Sequence, residues 1–108
     1  MGENRKFRRE RRRTACEFRL EGKSHAGIVG NLSARGLFIQ SALIPPEGTQ
    51  IRVTLHDPSH GEIELWGRVA RTKAPHRSIT NVIPGGFGIS VETAPPEYFD
   101  LLIALGLG

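Results

Sequence analysis

Ile51-Arg-Val-Thr-Leu-His-Asp-Pro-Ser-His-Gly-Glu-Ile-Glu-Leu-Trp-Gly-Arg-Val69 is the stretch that decides the fold class. Ile51, Val53 and Leu55 alternate with Arg52 and Thr54. Ile63, Leu65 and Val69 then share one face, and Glu62, Glu64, Trp66 and Arg68 take the other. A period of two is that of a strand with one dry and one wet side. Between the two runs, His56 to Gly61 has the composition of a loop. The segment therefore reads as two strands joined by a tight connection.

The same pattern recurs on both sides. Cys16, Phe18 and Leu20 alternate with Glu17, Arg19 and Glu21, and Gly22-Lys-Ser24 supplies a turn. Ala26 to Gly30 reads as a short return strand, Asn31 to Gly36 as a turn, and Leu37 to Gln40 as a strand. Pro45-Pro-Glu-Gly48 breaks the chain. Residues 73–85 read as an irregular polar loop, and Phe87, Ile89 and Val91 alternate in a last strand. The period then changes. Pro95-Pro96 opens a helix over about residues 96–105, with Tyr98, Leu101, Leu102 and Leu105 at helical spacing and Gly106 as its stop. Six short strands and one amphipathic helix predict an all-β domain, a closed antiparallel barrel or sandwich with the helix over one opening. Closure removes the exposed sheet edges that a small domain manages poorly.

The chain has 108 residues, enough for one domain with its own core. Its single cysteine excludes an internal disulfide framework and fits a reducing compartment. No apolar run reaches the length of a membrane span, and the N-terminus is too basic for a signal peptide. The expected setting is the cytoplasm, without membrane contact. The net charge of +4 is unevenly placed: residues 5–13 hold seven basic residues and one acid, whereas the remainder is close to neutral. Residues 1–13 are thus expected to form a flexible basic arm, and residues 14–108 the folded domain. A concentrated cationic segment attracts phosphates.

Two short elements carry the chemistry. Arg8-Arg-Glu-Arg-Arg-Arg13 contains Arg9-x-x-x-Arg13 and, one residue earlier, Arg8-x-x-x-Arg12. Asn31-x-Ser33-x-x-Gly36 follows after one hairpin. An arginine-rich entry followed by Asp/Asn-x-Ser-x-x-Gly resembles the signature of the PilZ family. Gly86-Phe-Gly-Ile-Ser-Val91 resembles the Gly-x-Gly strand near the end of such domains, and the C-terminal helix agrees. The resemblance covers nearly the whole chain. It implies a six-stranded antiparallel β-barrel of split-barrel type with a short C-terminal α-helix. It also implies a receptor for the bacterial second messenger cyclic di-GMP, with no catalytic role, no cofactor and no metal. The implied ligand-binding residues are Arg8, Arg9, Arg12, Arg13, Asn31, Ser33 and Gly36; Arg35, inside the second motif, is a further candidate for stacking or phosphate contact. Arg9 and Arg13 are the favoured pair because Arg13 directly precedes the first strand; the overlapping register stays open.

These residue types suit that ligand. Cyclic di-GMP offers two phosphates and two guanines. Guanidinium forks onto phosphate oxygens, donates to guanine O6 and N7, and stacks on a base. Asn31 can donate and accept at a guanine edge. Ser33 can bond phosphate or base and brace the turn, and Gly36 would allow a positive φ or a close ligand approach. Ligand would draw the arm over the barrel, and the new surface would signal to a downstream protein partner. The protein would be a monomer or weak dimer.

Two other readings compete. One is a PilZ-like interaction module that has lost nucleotide binding; the intact motifs argue against it. The other is a nucleic-acid-binding barrel using the basic arm. Few aromatics are available for base stacking, so no nucleic-acid polymer is expected as partner. Gly86-x-Gly88 is not followed by a helix, which excludes a dinucleotide fold, and both glycines read as bends in the barrel. Cys16 reads as core. His56 and His60 flank a loop without metal-site spacing. Trp66 falls on the outer face of its strand, where the helix or the arm would cover it.

Overall fold

The computed structural model describes residues 13–77 and 82–107. Eight strands and one helix follow in chain order: β1 (Thr14–Leu20), β2 (Lys23–Leu32), β3 (Gly36–Gln40), β4 (Gln50–Asp57), β5 (Gly61–Lys73), β6 (His76–Arg77), β7 (Val82–Ile83), β8 (Gly86–Thr93) and α1 (Pro96–Ala104). Six of the strands close an antiparallel barrel in the order β1-β2-β3-β8-β5-β4, the architecture implied by the resemblance and one of the two that the alternation allowed. The two-residue strands β6 and β7 form a separate hairpin inside the segment read as an irregular loop. Two residues are too few to show a period, so composition alone described that stretch.

The alternating residues fill the barrel. Phe18, Val29, Ile39, Val53, Leu55, Leu65 and Phe87 are wholly buried. Phe18 and Phe87 meet edge to face with centroids 5.1 Å apart, the arrangement that ring quadrupoles favour. Tyr98, Leu101, Leu102 and Leu105 of α1 join the same core. The helix starts with Pro96 in its first turn, where the missing N–H costs nothing. It stops at Gly106, whose φ of +77° lets the N–H groups of Gly106 and Leu107 return to the carbonyls of Ile103 and Leu102. Among the described residues no helix is long and apolar enough to cross a membrane.

Boundaries differ from the sequence reading where local chemistry overrides pattern. The first hairpin turns on Glu21 and Gly22, both at positive φ, so β2 begins already at Lys23 and runs to Leu32. Asn31, expected in a turn, is therefore a strand residue opposite Phe38. His56 and Asp57, expected in a loop, end β4. The Asp57 carboxylate is buried and accepts the N–H groups of Ser59 and His60, which folds the turn to Gly61. Trp66 is 43% exposed. Arg52 of the neighbouring strand lies 5.4 Å from its ring centroid, so part of the cover expected from the helix or the arm comes from β4.

Candidate functional site

The turn between β2 and β3 is built around Ser33. Its backbone N–H donates to the Gly36 carbonyl at 2.9 Å. Its hydroxyl oxygen accepts the N–H groups of Arg35 and Gly36 at 3.3 and 3.2 Å, and the hydroxyl donates to the Gly36 carbonyl at 3.1 Å. A serine here can serve both ends of a four-residue turn, which an alanine could not. The hydroxyl is thus engaged as a brace, the structural one of its two expected roles.

Two distant segments clamp this turn. Val91 of β8 donates its N–H to the Arg35 carbonyl at 2.8 Å. Tyr98 of α1 donates its hydroxyl to the Ser33 carbonyl at 2.6 Å. Burial pushes the Tyr98 hydroxyl up to about 12, so it stays a donor at neutral pH. Gly36 is required for a reason other than positive φ, since it is absent from the residues at positive φ. A Cβ at this position would collide with the Ile89 carbonyl oxygen of β8. The close approach is between strands of the barrel. It brings β8 against the turn and makes one surface of the two.

That surface is the wall of a groove of about 960 Å³. Asn31, Ser33, Arg35 and Gly36, four of the residues expected at the site, line it together. Arg13 reaches its edge: the guanidinium donates to Gln40 Oε1, a groove residue, at 3.5 Å. Arg8, Arg9 and Arg12 lie outside the described residues. The groove also contains Arg71 and Lys73 of β5, Gln40 of β3 and Ser90 of β8, which the sequence reading did not select. In sequence Lys73 opened the segment read as a polar loop, though β5 runs through it, and the other three belonged to no motif. They meet Asn31 and Arg35 only because β8 is inserted between β3 and β5. Gly88, expected to serve as a bend, is a lining residue too.

The groove is cationic for a reason visible in the chain. Its described lining residues all fall in two stretches, 22–46 and 65–91, that contain no aspartate or glutamate. Arg35, Arg71 and Lys73 therefore have no carboxylate beside them in the lining. Elsewhere on the barrel, Arg52 pairs with Glu64 at 3.3 Å and Arg68 with Glu92 at 3.2 Å. Unpaired cations facing one concavity focus a positive potential into it. The arrangement suits a compact ligand carrying more than one phosphate, with hydrogen-bonding edges for Asn31 and Gln40 to read.

Other candidates have structural roles. Cys16 is buried in the core, and desolvation, with Glu17 beside it, pushes its thiol up to about 12; it is not a poised nucleophile. His60 Nδ1 sits 3.0 Å from Asp57 Oδ2 within the β4–β5 turn. Among the described residues no group of three or more His, Cys, Asp or Glu could hold a metal ion.

Known structures share this fold. The solved structure of the inhibitor of motility MotI/DgrA from Bacillus subtilis is similar, with a TM-score of 0.70 at 16% identity. The match covers 89% of this chain and 46% of that one, so the chain spans about half its length. The PilZ domain of YcgR from Escherichia coli, solved with c-di-GMP, is similar with a TM-score of 0.64 at 13% identity, over 86% of this chain and 79% of that one. At such identities the likeness is one of fold. No curated protein matches the sequence. The family model for the PilZ domain matches residues 3–105, a span that starts ahead of the arginine run and ends in the last turn of leucines. With that match over nearly the whole length, and a barrel of the same fold, the chain belongs to the PilZ domain family.

Proposed function

We propose that this chain is a receptor for cyclic di-GMP, acting by recognition and not by catalysis. The observation that carries the reading is the groove itself. Asn31, Ser33, Arg35 and Gly36 share it with Arg71 and Lys73, Arg13 stands at its edge, and among the described residues its lining contains no carboxylate. Two phosphodiesters need cations without competing anions, and two guanines need edges and faces to meet. Arg13, with Arg9 or the overlapping Arg8 and Arg12, would grip phosphate from the N-terminal side. Arg35 would do so from the turn, and Asn31 would read a guanine edge. Membership of the PilZ family and the c-di-GMP in the similar YcgR domain support the choice of ligand. The arginine-rich arm, residues 1–13, would be drawn over the 14–108 barrel, and the remodelled surface would engage a downstream protein.

Titration calorimetry with cyclic di-GMP, GTP and a short oligonucleotide tests this. The expected result is saturable heat with cyclic di-GMP, weaker or none with GTP, and none with the oligonucleotide. Absence of heat with cyclic di-GMP at high ligand concentration sinks the reading. Binding of the oligonucleotide alone would instead make the groove a polymer track.

A further inference from the structure

Arg71 stands opposite Gly88 in the β5–β8 register, just past an irregularity between Val69 and Arg71. Its side chain packs tightly against the position that a Cβ on Gly88 would take. Cγ and Nε lie 3.2 Å, and Cδ 3.8 Å, from that position. The first atom met at Gly36, Gly67 or Gly86 is by contrast a backbone carbonyl oxygen. At Gly88 the missing side chain makes room for an arginine, not for a neighbouring strand. The stem of Arg71 consequently lies along the strand surface instead of standing off it. Both residues line the groove, as does Ala70, whose small side chain leaves space beside them.

Among the described residues the Arg71 side chain makes no hydrogen bond or ion pair, unlike those of Arg52 and Arg68. Arg35 and Lys73 already supply cations to the groove. A planar group held along a groove wall is suited to stacking. Guanidinium stacks on a purine with a gain that an ammonium cannot reproduce, because the plane and the delocalised charge both contribute.

We propose that Arg71, laid over Gly88, is a base-stacking platform that carries one purine face of the bound nucleotide. The proposal rests on the nucleotide-binding reading above. It gives Arg71 a task different from that of Arg35 and Lys73. Lysine at position 71 would keep the charge and lose the plane, whereas tryptophan would keep a plane and lose the charge.

The test is calorimetric titration of the whole chain with cyclic di-GMP, comparing wild type with Arg71→Lys, Arg71→Trp and Gly88→Ala at two salt concentrations. Arg71 is exposed, so its variants are expected to keep the wild-type circular dichroism and melting point. Arg71→Lys should weaken binding about tenfold with an unchanged salt dependence, the size expected of one lost base stack. Arg71→Trp should bind more tightly than Arg71→Lys. Gly88→Ala, whose methyl must push Arg71 aside, should weaken binding several-fold. Wild-type affinity in Arg71→Lys overturns the platform while leaving the receptor reading standing, and so does an Arg71→Trp that binds no better than the lysine variant. Failure of the wild type itself to bind removes both.

Discussion

The Tyr98 hydroxyl on α1 donates to the Ser33 carbonyl at 2.6 Å, joining the C-terminal helix to the turn that shapes the groove. The two residues are 65 positions apart in sequence. Tyr98→Phe removes this bond and leaves the ring in the core. We expect a loss of about 1 kcal/mol in a urea titration, the usual net worth of one hydrogen bond. Affinity for cyclic di-GMP should fall several-fold as well. Unchanged affinity would show that the turn keeps its shape without the helix.

Gly36 and Gly30 make a matched pair. A methyl at Gly36 collides with the Ile89 carbonyl, whereas at Gly30 it meets open space. Gly36→Ala should destabilise the fold by about 1–3 kcal/mol through forced separation of β3 and β8, and abolish binding. Gly30→Ala should stay within about 0.5 kcal/mol of wild type. Chemical denaturation of the two variants side by side checks both.

The basic segment can be tested one residue at a time. Arg13→Ala and Arg9→Ala should each greatly weaken binding of cyclic di-GMP with the melting temperature retained. Arg8→Ala and Arg12→Ala then decide the register by whichever pair matters more. Binding should weaken with added salt, but less steeply than for a polymer contacted at many phosphates. Normal affinity in both Arg9→Ala and Arg13→Ala would remove the arm from the site.

Alkaline pH should loosen the fold. Tyr98 is raised from 10.0 to about 12, and Cys16 from 9.0 to about 12, in each case mainly by burial. Both are neutral when protonated, so the folded state holds its protons longer than the unfolded chain does. Stability is then fully present below the unfolded values and declines as pH rises through about 9 to 12. Urea midpoints measured from pH 8 to 11 should fall, and should fall less in the Cys16→Ala, Tyr98→Phe double variant. A flat profile in the wild type would count against burial as the cause.

Strands with one buried face were legible in the sequence. β1, β4 and β5 carry the strict alternation of Cys16 and Phe18, of Ile51, Val53 and Leu55, and of Ile63 and Leu65. β2 was legible only in its middle, because Val29 is its one fully buried residue and Lys23, Ser24 and Asn31 look like turn residues. The Asn31–Gly36 segment was legible as a motif. Arg71, Lys73, Gln40 and Ser90 were not, since a groove across non-consecutive strands leaves no local pattern. Nor was the cause of Gly36, which lies in the carbonyl of a strand more than fifty residues later.

The strand order has a consequence for synthesis. β1 to β5 each find a first partner in near succession, but the second edges of β3 and β5 must both wait for β8, and the turn before β3 must wait for Val91 and Tyr98. On the ribosome the arginine run emerges ahead of the barrel, and the groove is assembled last. A nascent chain would therefore show its affinity for phosphate long before it could tell one nucleotide from another.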